Sequence, residues 1–162
     1  MIDALTQWLK STWLSKVFLH NGGWSWPLSE TLHFIGLCML IGSIGLIDLR
    51  LLGLGKGIRF LDLHRFVVFA VAGFALNVVS GSLFLIGEPD QYLLNHAFHF
   101  KVAFFVIAGG NVLAFYGTQF QRLKLLGPDD VAPLPARVMA AISLICWIGV
   151  IVAGRMLTFY RP

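Results

Sequence analysis

Charged side chains are scarce in this sequence: Asp, Glu, Lys and Arg make up 12% of its 162 residues, against about 25% in ordinary soluble domains. A soluble chain of this length would need a polar surface around its core, and so few charges cannot supply one. Hydrophobic residues form 57% of the chain, and the mean hydropathy is +0.79. The composition therefore predicts a single domain, residues 1–162, that is surrounded by a lipid bilayer.

Several motifs that mark other protein classes are missing. The two cysteines, Cys38 and Cys146, both lie in apolar runs, so the sequence offers no disulfide framework and no zinc spacing. It contains no Gly-rich phosphate loop, nucleophile elbow or dinucleotide fingerprint. The net charge is only +4, and the basic residues stand mostly between apolar runs. This arrangement is typical of membrane topology signals, and it argues against nucleic acid as a partner.

Long apolar runs are what the sequence has in abundance. Four of them are long enough to cross a bilayer as α-helices, at about residues 28–52, 63–87, 92–120 and 137–159. Residues 2–19 are too polar to cross, but their apolar positions repeat at helical spacing. We expect an all-α, integral membrane four-helix bundle with an extra amphipathic interfacial N-terminal helix. An ordinary soluble-type helix packed on the bundle is the alternative for residues 2–19.

The loops predict the orientation. Basic residues are concentrated in the loops that follow spans one and three, namely Arg50, Lys56, Arg59, Arg65, Arg122, Lys124 and Arg137. The positive-inside rule places these loops in the cytoplasm. Both termini and the turn at Glu88 then face outward, which is the periplasm for a bacterial inner membrane.

Three histidines stand near the outer ends of apolar runs. His33 is in span one, and His96 and His99 are in the first turns of span three. The predicted topology puts them in one leaflet, where an ionisable side chain is costly without a partner. We predict that His33 and His99 face each other and ligate a metal, with His96 as the alternative ligand. The plainer interpretation is that each histidine only hydrogen-bonds a neighbouring helix.

Haem is the metal centre that this pattern favours. A haem needs axial ligands, an apolar slot and cations for its propionates. Lys101 and Arg155 lie at a similar depth and could pair with the propionates, although Arg155 could instead extend to the headgroups. Without a Cys-x-x-Cys-His motif, the haem would be non-covalent haem b. We interpret His64 as a solvated interfacial residue, with a second cofactor near that face as the alternative. We interpret Asp48 and Arg50 as an interfacial ion pair.

Short motifs resemble known families. Leu32-His33-Phe34-Ile35, followed by Asp48-Leu49-Arg50-Leu51, resembles the first helix of HemJ-type protoporphyrinogen oxidases, and His99-Phe100-Lys101 resembles their His-x-Lys element. That group binds haem b and is similar to the CopD copper-resistance membrane proteins. The chain as a whole looks more like a family of four-span bacterial membrane proteins of unassigned function. The resemblance implies haem b with His33 and His99 as ligands, but Ala97 replaces an expected Trp, which weakens the link to oxidase activity.

These features together lead to one expected function and two alternatives. We expect a haem b protein that transfers electrons between a periplasmic redox partner and the quinone pool or another membrane centre, as a membrane subunit or anchor. The first alternative is a HemJ-like protoporphyrinogen oxidase. The second is a copper-handling or structural membrane subunit without haem. The sequence leaves a homo-oligomer open.

Overall fold

A computed structural model describes residues 2–20 and 23–160 of the chain, and these residues form α-helices and no β-strand. The helices in chain order are α1 (Ile2–Ser11), α2 (Trp13–His20), α3 (Ser25–Leu51), α4 (Phe60–His64), α5 (Val67–Gly87), α6 (Pro89–Leu93), α7 (His96–Thr118), α8 (Phe120–Leu123) and α9 (Leu134–Met156). Four segments are long and apolar enough to cross a membrane: α3, α4 with α5, α7, and α9. The predicted all-α four-helix membrane bundle is confirmed.

The bundle consists of two antiparallel helix pairs. α3 packs along α5, α7 packs along α9, and α3 also contacts α9. We call one end of the bundle the Trp24 end; α3 and α7 begin there, and α5 and α9 end there. At the opposite end, the Arg50 end, α3 and α7 end and α9 begins. This arrangement is an up-down-up-down bundle with short connections.

Two glycines set the distance between α3 and α5. A Cβ added to Gly36 would lie 2.6 Å from Asn77 Nδ2 and 2.8 Å from the Gly73 carbonyl oxygen. A Cβ added to Gly73 would lie 2.5 Å from the Gly36 carbonyl oxygen. The two backbones are therefore in direct contact, as small residues allow between membrane helices.

Arg50 joins the two loops at its end of the bundle. Its side chain is buried, at 3% exposure. Nε donates to the Ile58 carbonyl at 2.7 Å, and Nη2 donates to the Gly127 and Pro128 carbonyls at 3.2 and 2.7 Å. Nη1 and Nη2 also reach the Asp130 carbonyl, at 3.4 and 3.3 Å. The guanidinium is thus satisfied by backbone oxygens alone.

The predicted ion pair between Asp48 and Arg50 is wrong. Residues two apart on a helix project to different sides, and Arg50 is directed towards the loops. Asp48 faces the bundle interior instead, where it is 5% exposed.

The N-terminal segment forms two helices where one was expected. Thr12 separates α1 from α2, because its hydroxyl oxygen accepts a hydrogen bond from the Ser15 amide at 3.3 Å and caps α2. α1 contacts α6 through an ion pair of Lys10 with Asp90, and α2 contacts α5. Both helices therefore lie against the Trp24 end of the bundle.

The third span begins at His96 and not at about residue 92. The residues before it form the separate short helix α6, and Asn95 starts α7 by accepting the Ala97 amide at 2.9 Å. The Asn95 amide also donates to the carbonyls of Leu157 and Tyr160, just after α9. Asn95 is 3% exposed, so a buried amide holds the start of α7 against the end of α9.

Candidate cofactor site

A cavity of about 1390 Å³ lies between the two helix pairs. It extends from Trp26 and Glu30 at the Trp24 end to Asp48 and His64 at the Arg50 end. α5 and α7 are scarcely in contact, so the cavity has an apolar opening between these two helices. Sites for small molecules and cofactors usually occupy about 300–1,000 Å³, and this cavity exceeds that range.

His33 lines the cavity from α3 and is held by α5. Its Nδ1 lies 2.8 Å from Ser80 Oγ. The Ser80 hydroxyl donates to the Leu76 carbonyl at 2.7 Å, so its oxygen accepts the proton of His33 Nδ1. This network assigns the proton to Nδ1 and leaves the lone pair on Nε2. No residue in the described ranges forms a hydrogen bond with Nε2. The imidazole is therefore oriented, with one nitrogen available to a ligand.

Two cations share this cavity with His33. Lys101 lies on α7 beside α9, where its Nζ would be 3.8 Å from a Cβ added to Gly154. Arg155 lines the cavity from α9, with its guanidinium 5.5 Å from the centre of the Phe159 ring. The structure thus brings His33, Lys101 and Arg155 of the predicted site to one cavity.

His96 and His99 lie outside the lining of this cavity. Both side chains are exposed at the start of α7, with ring centres 6.1 Å apart. His99 Nε2 donates to the Leu93 carbonyl at 3.0 Å. Within residues 2–20 and 23–160, no group of three or more His, Cys, Asp or Glu side chains is placed to hold a metal ion. Ligation by His33 together with His99 stays a prediction.

The mouth of the cavity at the Trp24 end carries acidic groups. Glu30 and Glu88 line it together with Tyr92, and Trp26 Nε1 donates to Glu30 Oε1 at 3.1 Å. Burial, together with the charges of Glu88 and Glu30, raises the pKa of Tyr92 to about 12. The phenol is therefore a neutral hydrogen-bonding group at neutral pH.

The Arg50 end of the cavity contains polar residues whose roles the sequence analysis missed. His64 Nε2 lies 2.9 Å from the Tyr116 hydroxyl, and the His64 ring packs on Phe120 at 4.7 Å between centres. His64 is half-exposed, as an interfacial residue would be, and these contacts also tie it to α7 and α8. Asp48 also lines this end, and its Oδ2 has no hydrogen-bond partner. The sequence does contain a feature that could have indicated this site: the carboxyl of Asp48 and the imidazole of His64 stand at a similar depth in two consecutive spans.

Comparison of the chain with protein-family models, curated proteins and solved structures found no match.

Proposed function

We propose that the protein binds haem b non-covalently in the cavity between its helix pairs and transfers electrons. The observation that carries this proposal is the state of His33. Its Nδ1 is bound to Ser80 while its Nε2 is unpartnered beside two cations. A hydrogen bond at one ring nitrogen is the usual way in which a protein orients a metal-ligating histidine.

The residues that line the cavity suit this cofactor. His33 would be an axial ligand, and Lys101 and Arg155 would pair with the propionates. Phe84, Phe98 and Phe105 line the same space and would exclude water from the macrocycle. A haem iron requires only axial ligands from the protein, so a cluster of three protein donors is not needed. When bound, haem supplies one-electron redox chemistry, which the surrounding residues tune by ligation and burial.

The proposed setting is a bacterial inner membrane, with the Trp24 end facing the periplasm. Trp8, Trp13 and Trp24 are 62%, 73% and 81% exposed at this end, and such side chains suit either the headgroup layer or the surface of a partner. Electrons would pass between a periplasmic redox protein and the quinone pool or another membrane centre. The protein would then serve as a membrane subunit or anchor.

The size of the cavity favours a second candidate function. A volume of about 1390 Å³ leaves room beside a bound cofactor for a substrate of similar size. This is what a haem-dependent oxidation of protoporphyrinogen would need. Turnover of protoporphyrinogen by the purified protein would distinguish that enzyme from an electron carrier.

Absorption spectra of the purified protein, oxidised and reduced with dithionite, test the haem proposal. We expect a Soret band for the unmodified protein and its loss in His33→Ala, because the oriented ligand is removed. Ser80→Ala should retain the ligand but weaken haem affinity by about 10- to 100-fold, the usual effect of removing such a supporting hydrogen bond.

His96→Ala tests the alternative ligand. If His99 and not His96 is the second ligand, the loss of His96, which is exposed outside the cavity lining, should leave haem content unchanged. The prediction that His99 is the second ligand requires His99→Ala to alter the spectrum of the iron. Full haem content in His33→Ala would contradict the proposal. A colourless unmodified protein would favour the copper-handling or structural alternative.

A further inference from the structure

We propose that the Arg50 end of the cavity binds the head group of a quinone or quinol. This inference deepens the proposed function, because it gives the quinone that would exchange electrons a site of its own. The role of this quinone site in electron transfer rests on the proposed function. The binding itself does not, because it uses none of the residues assigned to haem. The argument depends on His64, Tyr116 and Asp48, which all line the cavity and stand in α4, the last turn of α7 and the last turn of α3, at the Arg50 end.

The pair formed by His64 and Tyr116 always has one proton to donate. A neutral imidazole carries one N–H and a phenol carries one O–H. The hydrogen bond of 2.9 Å between His64 Nε2 and the Tyr116 hydroxyl uses one of these protons. The other stays available, on His64 Nδ1 or on the Tyr116 oxygen, depending on the tautomer. Either form can donate to a carbonyl or hydroxyl oxygen of a ligand.

Asp48 provides a second polar group that lacks a partner. The residue is 5% exposed and lines the cavity, and its Oδ2 has no hydrogen-bond partner among the described residues. Buried polar oxygens are nearly always hydrogen-bonded, so an exception in the wall of a cavity marks a place where a ligand could bind. A quinol hydroxyl, which donates and accepts, would satisfy Oδ2.

The surroundings favour a neutral ring with an apolar tail. Phe115 and Val112 of α7 and Val67 of α5 line the cavity near this end. The opening between α5 and α7 would let a tail extend into the lipid. The cations that line the cavity, Lys101 and Arg155, belong to the Trp24 end, and at the Arg50 end the basic residues lie in the surrounding loops while the acidic Asp48 belongs to the lining. This arrangement disfavours an anionic head group inside the cavity.

The test measures binding of decyl-ubiquinone and decyl-ubiquinol to the delipidated protein in detergent by isothermal titration calorimetry. Tyr116→Phe removes one hydroxyl and keeps the ring, and should weaken binding about tenfold, the effect of losing one good hydrogen bond. Asp48→Leu keeps a similar volume and should weaken quinol binding at least about tenfold. Asp48→Leu also removes a buried oxygen that has no partner, so the Tm of this variant should equal or exceed that of the unmodified protein.

Tyr160→Phe and Asp62→Asn are the matched controls. Tyr160 is exposed and outside the cavity lining, and Asp62 is bound to Arg59 on the surface. Both variants should bind the two ligands like the unmodified protein. Loss of affinity in Asp48→Leu with an unchanged Tm distinguishes a ligand-binding role from a structural one. Unchanged affinity in both Tyr116→Phe and Asp48→Leu would overturn the proposal.

Haem content, measured on the same samples, separates this inference from the proposed function. Saturable quinone binding by a protein without haem would support the site and contradict the haem proposal. Haem without quinone binding would overturn the site alone. Retention of a phospholipid that decyl-ubiquinone does not displace would also overturn it.

Discussion

Arg50 shows how a buried charge can be stabilised without a counter-ion. Its guanidinium is 3% exposed and donates only to backbone carbonyls of two loops. Carbonyl oxygens in loops lack partners from regular secondary structure, so one planar cation with five donors satisfies several of them at once. Its value to the fold lies in joining chain segments that are distant in sequence.

Replacing Arg50 should therefore destabilise the protein more than the loss of one charge would. Arg50→Lys keeps the charge but cannot reproduce the fork of donors, and it leaves several carbonyls unsatisfied. We expect the free energy of unfolding to fall by roughly 2–4 kcal/mol. We also expect faster proteolysis of the loop at residues 127–131. Thermal unfolding in detergent and limited proteolysis provide the two measurements.

Arg59→Lys is the control for this prediction. Arg59 is exposed and binds only Asp62, three residues along the chain. That hydrogen bond and the charge of Asp62 raise the pKa of Arg59, but such an exposed pair contributes little to stability. The Tm of Arg59→Lys should match that of the unmodified protein. An equal loss of stability in both variants would show that Arg50 acts through its charge and not through its hydrogen-bond geometry.

The contact of α3 with α5 depends on the absence of two side chains. Gly36→Ala would place a methyl group 2.8 Å from the Gly73 carbonyl oxygen, and a backbone atom cannot move aside without shifting the helix. We expect the free energy of unfolding to fall by about 1–3 kcal/mol, as overpacking usually costs. Because α3 and α5 hold His33 against Ser80, the same variant should also reduce haem content.

Gly42→Ala offers a matched comparison on the same helix. Nothing lies within 4 Å of a Cβ added to Gly42, so the change should keep or increase stability by up to about 1 kcal/mol through helix propensity. A Tm that falls equally in Gly36→Ala and Gly42→Ala would contradict the role given to the contact. The sequence alone does not show which of the two glycines lies at the contact, because both stand in the same apolar run.

The length of the apolar runs predicted the spans, but it did not predict the rotation of each helix. In a bilayer the lipid-facing side and the packed side of a helix are both apolar. Hydrophobic periodicity therefore does not show which side faces the bundle interior. His99, for example, is exposed and donates to the Leu93 carbonyl, and hydropathy alone does not indicate this environment. His33 lines the cavity, and hydropathy does not indicate that environment either.

The ends of the helices were less predictable for a different reason. Thr12 and Asn95 start helices through side-chain hydrogen bonds to amides three and two residues further on, and such local bonds leave hydropathy unchanged. The cavity could not be predicted from the sequence either, because it forms where the two helix pairs pack against each other. The packing of the two helix pairs depends on contacts between residues distant in sequence, such as those made by Arg50.

The whole molecule has an asymmetric charge distribution that predicts its orientation. Seven of its twelve Lys and Arg residues lie in or beside the loops at the Arg50 end: Arg50, Lys56, Arg59, Arg65, Arg122, Lys124 and Arg137. The turn at Glu88, at the opposite end, contains no basic residue. The positive-inside rule therefore predicts that the Arg50 end faces the cytoplasm, which would place the proposed haem near the outer face and the proposed quinone site near the inner face.

Cysteine labelling tests this orientation without reference to any activity. In a Cys38→Ala background, with Cys146 shielded at 3% exposure, we expect Glu88→Cys to react with a membrane-impermeant maleimide in intact spheroplasts. Lys56→Cys should react only after the membrane is permeabilised. Both positions are exposed, so a difference between them reports the side of the membrane and not burial. The opposite pattern would reverse the orientation, and an electron path from a periplasmic partner would then have to enter at the Arg50 end, beside His64 and Tyr116.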